Sequence, residues 1–231
     1  MSTSPPTFDE ERAAAYDDKI RRLAPGYDVL HETIANLAAT QLADDAHLLV
    51  VGAGTGEEIV RLGRTQPGWR FTAVDPSAEM LERSQERVEK EGVGDRVTYV
   101  QERVEDLPSE ARFDGATSVF VAHFLQDPTV KQQYVRAIAR RLRPGSPLVL
   151  ADLFEGPSAE VFDALVAAWR HGVRRAGLSD EAVERTFDRI ERQIDFVAAD
   201  ALSQILTDAG FSAPTRFYQN LLWGGWWTHK T

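Results

Sequence analysis

Residues 47–56 read His47-Leu-Leu-Val-Val-Gly-Ala-Gly-Thr-Gly56, an apolar run that gives way to three glycines at alternate positions. The apolar run predicts a buried parallel strand that ends near Val51. Glycines after such a strand allow the chain to turn tightly and a ligand to lie close to the backbone. The residues after Gly56 have the pattern of a helix. A strand, a glycine-rich turn and a helix in this order predict a loop that holds a nucleotide.

A carboxylate lies at the end of the next predicted strand. Residues 70–74 form a second apolar run, and Asp75 follows it, nineteen residues beyond Gly56. In an open α/β sheet, an acidic residue at this place accepts hydrogen bonds from the hydroxyls of a ribose. Asp75 is also placed to cap the helix that Pro76 opens, and the two roles are compatible. The sequence therefore predicts a ribose-containing ligand held by Asp75.

The spacing of the glycines narrows the choice of nucleotide. The dinucleotide fingerprint Gly-x-Gly-x-x-Gly has its third glycine where helix and strand pack closely and a pyrophosphate meets the helix N-terminus. Here Gly52 and Gly54 are followed by Glu57 at the third position. Glu57 and Glu58 would lie in the first helical turn and repel a pyrophosphate. A ligand with a cation and no phosphate fits better, and S-adenosylmethionine (SAM) combines an adenosine with a sulfonium and an ammonium.

Two motifs carry a family resemblance. Val50-Val-Gly-Ala-Gly-Thr-Gly56 resembles the first motif of class I SAM-dependent methyltransferases, and Val74-Asp-Pro-Ser77 resembles the second. The resemblance implies an α/β, Rossmann-like, doubly wound fold: a mostly parallel seven-stranded sheet with a C-terminal antiparallel hairpin and a helical cap. It also implies SAM as the cofactor. The expected reaction is transfer of a methyl group from SAM to a small-molecule acceptor.

The pattern along the chain agrees with that fold. In the middle of the chain, predicted strands alternate with predicted helices, which indicates a parallel sheet with right-handed crossovers. Only a short link joins the predicted strands at 96–102 and 114–121, so a helix between them is absent or rudimentary. We expect a single domain over residues 1–231, with an N-terminal helical cap at 1–42 and a helical insert at 154–196. Both additions are placed to cover the carboxyl ends of the strands, where ligands bind.

Further short segments are similar to the branch of this family that contains carboxy-S-adenosylmethionine synthase, an enzyme of tRNA wobble-uridine modification: Phe8-Asp9-Glu10, Tyr16, Ile20, Pro25-Gly26-Tyr27, Ala209-Gly210-Phe211 and Phe217-Tyr-Gln. The chain departs from that branch at Glu102-Arg103, where the synthase has a glycine-aspartate pair, and at Val119, where it has an asparagine. The synthase's arginine for the extra carboxylate falls in a segment that aligns loosely with 183–197, so no counterpart is assigned. The resemblance implies shared SAM contacts, and carboxy-SAM synthesis stays an alternative reaction.

Eleven residues are candidate SAM contacts: Tyr16, Tyr27, Gly52, Ala53, Gly54, Asp75, Pro76, Met80, Arg103, Val104 and Val119. The glycines would let the backbone approach the amino-acid tail of SAM. Arg103 and Val104 occupy the stretch that frames the adenine in the family, where Arg103 could stack on the ring or be a solvated surface residue. Met80 could pack on the adenine or in the core. Tyr16 and Tyr27 could hydrogen-bond the carboxylate of the ligand or belong to the core.

Two side chains at predicted strand ends are candidates for catalysis. Methyl transfer is an in-line displacement at a carbon that a positive sulfur activates, so the protein contributes mainly alignment and desolvation. A base is needed only where the acceptor must lose a proton. His123, directly after the fourth predicted strand, and Asp152, near the end of the fifth, are the candidates for that role. His123 could instead belong to a strand-end cluster with Phe124 and Leu125.

The C-terminal tryptophans Trp223, Trp226 and Trp227 could form an aromatic cage for the sulfonium, because aromatic rings attract cations. Neighbouring residues of a strand face opposite sides of the sheet, so Trp226 and Trp227 could share a cage only if Gly224-Gly225 formed a bulge. Packing in the core or in a dimer is therefore the favoured interpretation.

The composition sets further bounds. The 231 residues include no cysteine, which excludes disulfides, thiolate catalysis and zinc–sulfur sites, and no metal site is predicted. The net charge of −10 argues against nucleic acid as a partner. Without a signal-like start or an apolar run of about 18 residues, we expect a soluble, cytoplasmic protein with no membrane contact. A small-molecule substrate and a homodimer are compatible with these bounds, and a SAM-binding protein without catalysis is a third alternative.

Overall fold

A computed structural model describes residues 10–109 and 113–231. Phe8 and Asp9, which belong to one of the segments that carry the resemblance, lie outside the described residues. The strands are β1 (His47–Val51), β2 (Arg70–Val74), β3 (Val97–Val100), β4 (Gly115–Val119), β5 (Pro147–Leu153), β6 (Thr215–Asn220) and β7 (Trp223–His229). The helices are α1 (Glu10–Leu23), α2 (Tyr27–Gln41), α3 (Glu57–Thr65), α4 (Ala78–Lys90), α5 (Pro128–Arg141), α6 (Ala159–Arg175), α7 (Asp180–Gln193) and α8 (Ala199–Asp208).

The strands form one seven-stranded sheet in the order β3-β2-β1-β4-β5-β7-β6. Strands β1 to β5 pair in parallel, whereas β7 pairs antiparallel with both β5 and β6. The mostly parallel, doubly wound sheet with a C-terminal hairpin is thereby confirmed. The strand order reverses between β1 and β4, and in open α/β sheets ligands bind at the carboxyl ends of the strands at such a switch point.

Both faces of the sheet are covered by helices. In β1, Leu49 and Val51 pack in a cluster with residues of α5 and α8, while Leu48 and Val50 pack on the opposite face with residues of α2, α3 and α4. Every residue of β4 and β5 is buried. Parallel strands in the middle of such a sheet have no solvated face, so β1 is apolar after His47, which is why the sequence pattern located it, although β4 also buries Thr117 and Ser118.

A third apolar cluster joins the N-terminal helices to the insert. It contains side chains of α1, α2, α6 and α7 together with residues at the carboxyl ends of β4 and β5 and the start of β7, among them Ile20, Leu30, Phe120, Trp169, Phe187 and Trp223. The indole of Trp169 donates a hydrogen bond of 2.6 Å to the carbonyl oxygen of Leu23, which ties α6 to the end of α1. The four helices therefore form a cap over the edge of the sheet where ligands bind.

Two details of the predicted fold can be compared with the structure. In the described part of the link between β3 and β4, the only helical element is a single 3-10 turn at residues 104–106, so the expected rudimentary link is confirmed. The register shift in the C-terminal hairpin lies between Arg216 and Tyr218 of β6, and not at Gly224-Gly225 of β7, where a shared cage would require a bulge. Trp226 is buried against Phe154, with 5.6 Å between the ring centroids, and packs in a different cluster from Trp227. The two tryptophans do not share a cage, as the favoured interpretation predicted.

None of the described helices combines the length and the apolar character that crossing a membrane requires.

Candidate active site

The glycine loop follows β1 and has the backbone conformation that its sequence predicts. Gly52, Gly54 and Gly56 have φ angles of 68°, 51° and 82°, in the left-handed region that favours glycine. A Cβ on Gly52 would collide with the side chain of Val121, whereas the nearest protein atom to a Cβ on Gly54 would be the carbonyl oxygen of Gly52 at 3.8 Å. Gly54 therefore leaves open space on its side-chain face, and it lines the larger of two adjoining cavities at the carboxyl ends of the strands.

Asp75 joins the glycine loop to the start of α4. One carboxylate oxygen accepts a hydrogen bond from the backbone N–H of Gly54 at 3.0 Å, and the other accepts one from Ser77 N–H at 2.9 Å. Burial raises the pKa of the Asp75 carboxyl above its ordinary value, although both hydrogen bonds act in the opposite direction. The N-cap of α4 is Ser77, whose hydroxyl accepts from Met80 N–H at 3.2 Å. Each carboxylate oxygen of Asp75 thus keeps a lone pair for a ligand.

The larger cavity has a volume of about 650 Å³ and lies where β1, β2 and β4 end. Nine of the predicted SAM contacts line it: Tyr16, Gly52, Gly54, Asp75, Pro76, Met80, Arg103, Val104 and Val119. The sequence analysis missed further lining residues directly after β3 and β4, chiefly Gln101, Glu102, Glu105, Phe120, Val121, Phe124 and Leu125, and also Tyr134 of α5. Their position at or shortly after the carboxyl end of a predicted strand is the signal that could have found all of them except Tyr134.

Two predicted contacts do not line this cavity. Tyr27 is buried under the cap, with its ring centroid 4.4 Å from that of His31 and 6.2 Å from that of Phe120. Burial raises the pKa of its phenol. Ala53 is buried within the loop, where its backbone N–H donates to the carbonyl oxygen of Val74 at 3.1 Å. Tyr27 thus packs in the core of the cap and Ala53 lies within the loop, and their contacts with SAM stay predictions.

A smaller cavity of about 380 Å³ adjoins the larger one, and Tyr16, Phe120 and Phe124 line both. Its other walls are mainly apolar and come from α1, α6, α7 and the end of β5: Ile20, Leu23, Leu153, Trp169, Ile190, Ile194 and Trp223, with the polar side chains of Lys19, His123, Thr186, Arg189 and Gln193. The N-terminal helices and the insert thus enclose a second space next to the larger cavity.

Phe120, which lies between the two cavities, has a strained backbone. Its φ angle is 61°, in the left-handed region that residues with bulky side chains rarely adopt. Its backbone N–H donates a hydrogen bond of 2.8 Å to the carbonyl oxygen of Ala151. Its ring packs edge-on against Trp223, with 4.6 Å between centroids. Strain of this kind costs of the order of 1–3 kcal/mol and is concentrated at functional sites, where the surrounding contacts maintain it.

His123 and Asp152 form a buried pair beside the smaller cavity. Nδ1 of His123 is hydrogen-bonded to a carboxylate oxygen of Asp152, and the two side chains are 5% and 6% exposed. The same oxygen accepts the backbone N–H of Leu153 at 2.8 Å, which orients the carboxylate. His123 lines the smaller cavity, and within the described residues its Nε2 has no hydrogen-bond partner. The two predicted catalytic residues are therefore brought together, with Asp152 behind His123.

The two glutamates after the glycine loop differ in their surroundings. Glu57 pairs with Arg21 at 2.8 Å, Arg61 at 2.7 Å and Arg87 at 3.0 Å. Burial alone would raise the pKa of Glu57, but the hydrogen bond from Arg61 and the charges of the three arginines hold it below its ordinary value. Glu58 is turned into the interior, where burial raises its pKa to about 8. The expected free negative charge at the start of α3 is thus largely compensated.

In the part of the chain that the structure describes, no three His, Asp or Glu side chains are grouped in a way that could hold a metal ion.

The comparison with known families agrees with the loop and the sheet. Residues 48–145 match a family model described as "Methyltransferase domain". Residues 48–145 are thus similar to a methyltransferase domain, and the glycine loop and the sheet agree with SAM as the cofactor or substrate of such a domain. The matched segment contains the glycine loop, Asp75 and His123, whereas the cap helices lie outside it.

Individual relatives extend over most of the chain. The carboxy-S-adenosyl-L-methionine synthase of Colwellia psychrerythraea is 26% identical over 217 residues, which cover 92% of this chain and 87% of that protein. The synthase of the same name from Erwinia tasmaniensis is 28% identical over 219 residues, with the same coverage. A solved structure from Nostoc punctiforme, provisionally named an O-methyltransferase, has a TM-score of 0.69 at 17% identity and covers 96% of this chain. The present chain spans 60% of that structure, and the likeness shows the fold alone.

Proposed function

We propose that the protein transfers the methyl group of SAM to a proton-bearing atom, such as a hydroxyl oxygen, of a small-molecule acceptor. The observation that carries the proposal is the pair of adjoining cavities, with the His123–Asp152 pair beside the smaller one. In this proposal residues 1–231 act as one domain, in which the cap 1–42 and the insert 154–196 enclose the acceptor. The reaction would take place in the cytoplasm.

The larger cavity suits SAM in size and in polarity. Its volume of about 650 Å³ falls within the roughly 300–1,000 Å³ of typical ligand pockets. The open face of Gly54 admits the amino-acid tail close to the backbone, and the remaining lone pairs of Asp75 can accept the ribose hydroxyls. Met80 and Val104 offer buried apolar surface to the adenine. Bound there, SAM would supply a methyl carbon that the positive sulfur makes electrophilic, with S-adenosylhomocysteine as the leaving group.

His123 supplies the base on the acceptor side. Because Nδ1 is engaged by Asp152, Nε2 is the nitrogen that can take the proton of an acceptor hydroxyl. Asp152 holds the ring in this orientation and stabilises the imidazolium that proton uptake creates. Phe120 and Phe124 line both cavities and exclude water from the place where the acceptor meets the methyl group.

The experiment uses SAM labelled in its methyl group and a panel of small hydroxyl-bearing acceptors. We expect S-adenosylhomocysteine to accumulate and the label to appear in an acceptor. His123→Ala should lower turnover by about 10²–10⁴-fold while SAM affinity in calorimetry stays unchanged, because a positioned base contributes about this much. His171→Ala, an exposed histidine on α6, is the matched control. A His123→Ala enzyme with full turnover would remove the assigned base.

A second candidate is carboxy-SAM synthesis, which the relatives of that name favour through likeness over 92% of the chain. The departures at Glu102, Arg103 and Val119 all lie in the wall of the larger cavity, so some contacts with the adenosyl ligand differ from those of the synthases. Mass spectrometry of the ligand that copurifies with the protein separates the two reactions. Carboxylated SAM would favour the synthase, whereas SAM or S-adenosylhomocysteine would favour methyl transfer. Tight SAM binding without any product would indicate a binding protein.

A further inference from the structure

A groove rich in basic side chains runs between α1 and α7. It has a volume of about 400 Å³ and adjoins the smaller cavity, because Lys19, Thr186 and Arg189 line both. Its lining comprises Asp18, Lys19, Arg22, Leu178, Ala182, Arg185, Thr186 and Arg189. Four basic side chains thus face one acidic side chain, although the chain as a whole has a net charge of −10.

The charges of the groove differ from those on the other side of α7. There, Arg170 and Arg174 of α6 pair with Glu184 of α7 at 2.5 and 3.0 Å. Within residues 10–109 and 113–231, in contrast, the side chains of Arg22 and Arg189 take part in no hydrogen bond or ion pair. The positive charges of Arg22 and Arg189 therefore remain available to an anion that enters the groove.

The geometry of the basic side chains suits an anionic group. Arg185 and Arg189 are four residues apart on α7 and therefore lie on one face of that helix, opposite Arg22 of α1. The planar fork of a guanidinium matches a carboxylate or a phosphate with two parallel hydrogen bonds. Arg185 also pairs with Glu181, which leaves Arg22 and Arg189 as the main anion ligands.

We propose that the groove binds an anionic group of the acceptor, a carboxylate or a phosphate, while the apolar body of the acceptor occupies the smaller cavity. This inference rests on the proposed function, since it assigns the smaller cavity to the acceptor. Phe120, Trp169 and Trp223 provide flat aromatic walls, which fit a planar apolar body. The acceptor class is therefore an aromatic or similarly planar molecule with a hydroxyl for His123 and a negative charge for Arg189.

The test measures binding by calorimetry on the full chain in the presence of S-adenosylhomocysteine. The probes are 4-hydroxybenzoate, 4-hydroxyphenyl phosphate and neutral 4-hydroxybenzamide. We expect at least one anionic probe to bind ten times more tightly than the amide, and the better of the two identifies the anion. Quenching of tryptophan fluorescence provides a second readout, because Trp169 and Trp223 line the cavity.

Two variants assign the preference to the groove. Arg189→Gln and Arg22→Gln should each reduce the tenfold preference for the anion to threefold or less, with the affinity for S-adenosylhomocysteine unchanged. Arg192→Gln is the matched control, because Arg192 is exposed on the same helix, bonds to the carbonyl oxygen of Asp188 and does not line the groove. Equal affinity for charged and neutral probes, or a preference that survives in both variants, would overturn the inference.

The binding assay does not depend on turnover, so the two proposals can fail separately. If no acceptor is methylated but the anion preference depends on Arg189, the proposed function fails and the anion site stands. If methyl transfer occurs with equal affinity for charged and neutral acceptors, the anion site fails and the proposed function stands.

Discussion

Replacing Gly54 by alanine tests whether the glycine loop holds SAM, because the loss of folding stability and the loss of SAM affinity can be measured separately. At a φ of 51°, alanine must adopt the left-handed region, which costs about 1–2 kcal/mol. No protein atom obstructs the new Cβ, since the nearest lies 3.8 Å away. In a chain of 231 residues this cost lowers Tm by about 2–8 °C. The methyl group would, however, occupy the space that we assign to the amino-acid tail of SAM.

Gly92 provides a matched control, because it has a φ of 72°, lies two residues after the end of α4 and, apart from its chain neighbours, has no atom within 4 Å of the position that a Cβ would occupy. We expect Gly54→Ala and Gly92→Ala to lower Tm by similar amounts. Calorimetry should show SAM affinity unchanged in Gly92→Ala and at least tenfold weaker in Gly54→Ala, a loss of about 1.4 kcal/mol. If Gly54→Ala binds SAM as the wild type does, the loop does not hold the ligand and the assignment of the larger cavity is refuted.

Three further predictions concern the surroundings of this loop. Asp75→Asn should weaken SAM binding by about 1–3 kcal/mol through the loss of a charge-assisted acceptor, and unchanged calorimetric affinity would contradict the ribose assignment. Glu58 has a pKa of about 8 against an ordinary 4.5, so this carboxyl ionises at lower pH in the unfolded chain than in the folded protein. We therefore expect the wild type to be roughly 3 kcal/mol less stable at pH 8 than at pH 5.5. In urea unfolding at the two pH values, Glu58→Gln should lack this contribution. Arg87→Gln breaks the ion pairs with Asp17 of α1 and with Glu57, and it should weaken SAM binding by about 1 kcal/mol by loosening α1. Arg64→Gln breaks the more exposed pair with Glu91 and should leave SAM binding unchanged. Equal effects of the two variants would argue against a role for α1 in binding.

Most of the sheet and half of the site follow from local pattern. The strand of residues 47–51 and the turn after it could be predicted because a parallel strand with both faces buried is apolar throughout and because three left-handed residues at alternate positions call for glycine. Asp75 could be placed because carboxyl ends of parallel strands meet at one edge of the sheet. Both predictions depend only on the spacing of residues along the sequence.

The local sequence pattern does not show which face of each cap helix lines a cavity. Tyr16 and Tyr27 both lie on amphipathic helices in apolar surroundings, yet the structure turns Tyr16 to both cavities and buries Tyr27 against His31. Which helix face meets a cavity depends on the packing of α1 and α2 against α3, α4 and α7. The strained backbone of Phe120 could not be predicted for a related reason, since a φ of 61° contradicts the local preference of phenylalanine and is maintained by tertiary contacts.

The exclusion of phosphorylated nucleotides depends on α1 more than on the charges of the loop itself. Glu57 was expected to repel a pyrophosphate, but three arginines compensate its charge. Asp17 of α1, however, accepts a hydrogen bond of 2.7 Å from the hydroxyl of Thr55 and pairs with Arg87. A pyrophosphate at the start of α3 would lie near the Asp17 carboxylate, because Thr55 directly precedes Gly56, the N-cap of that helix, and like charges repel each other. Because SAM has no phosphate, it can occupy the open face of Gly54 without disturbing this contact, so the docking of α1 favours SAM over a dinucleotide.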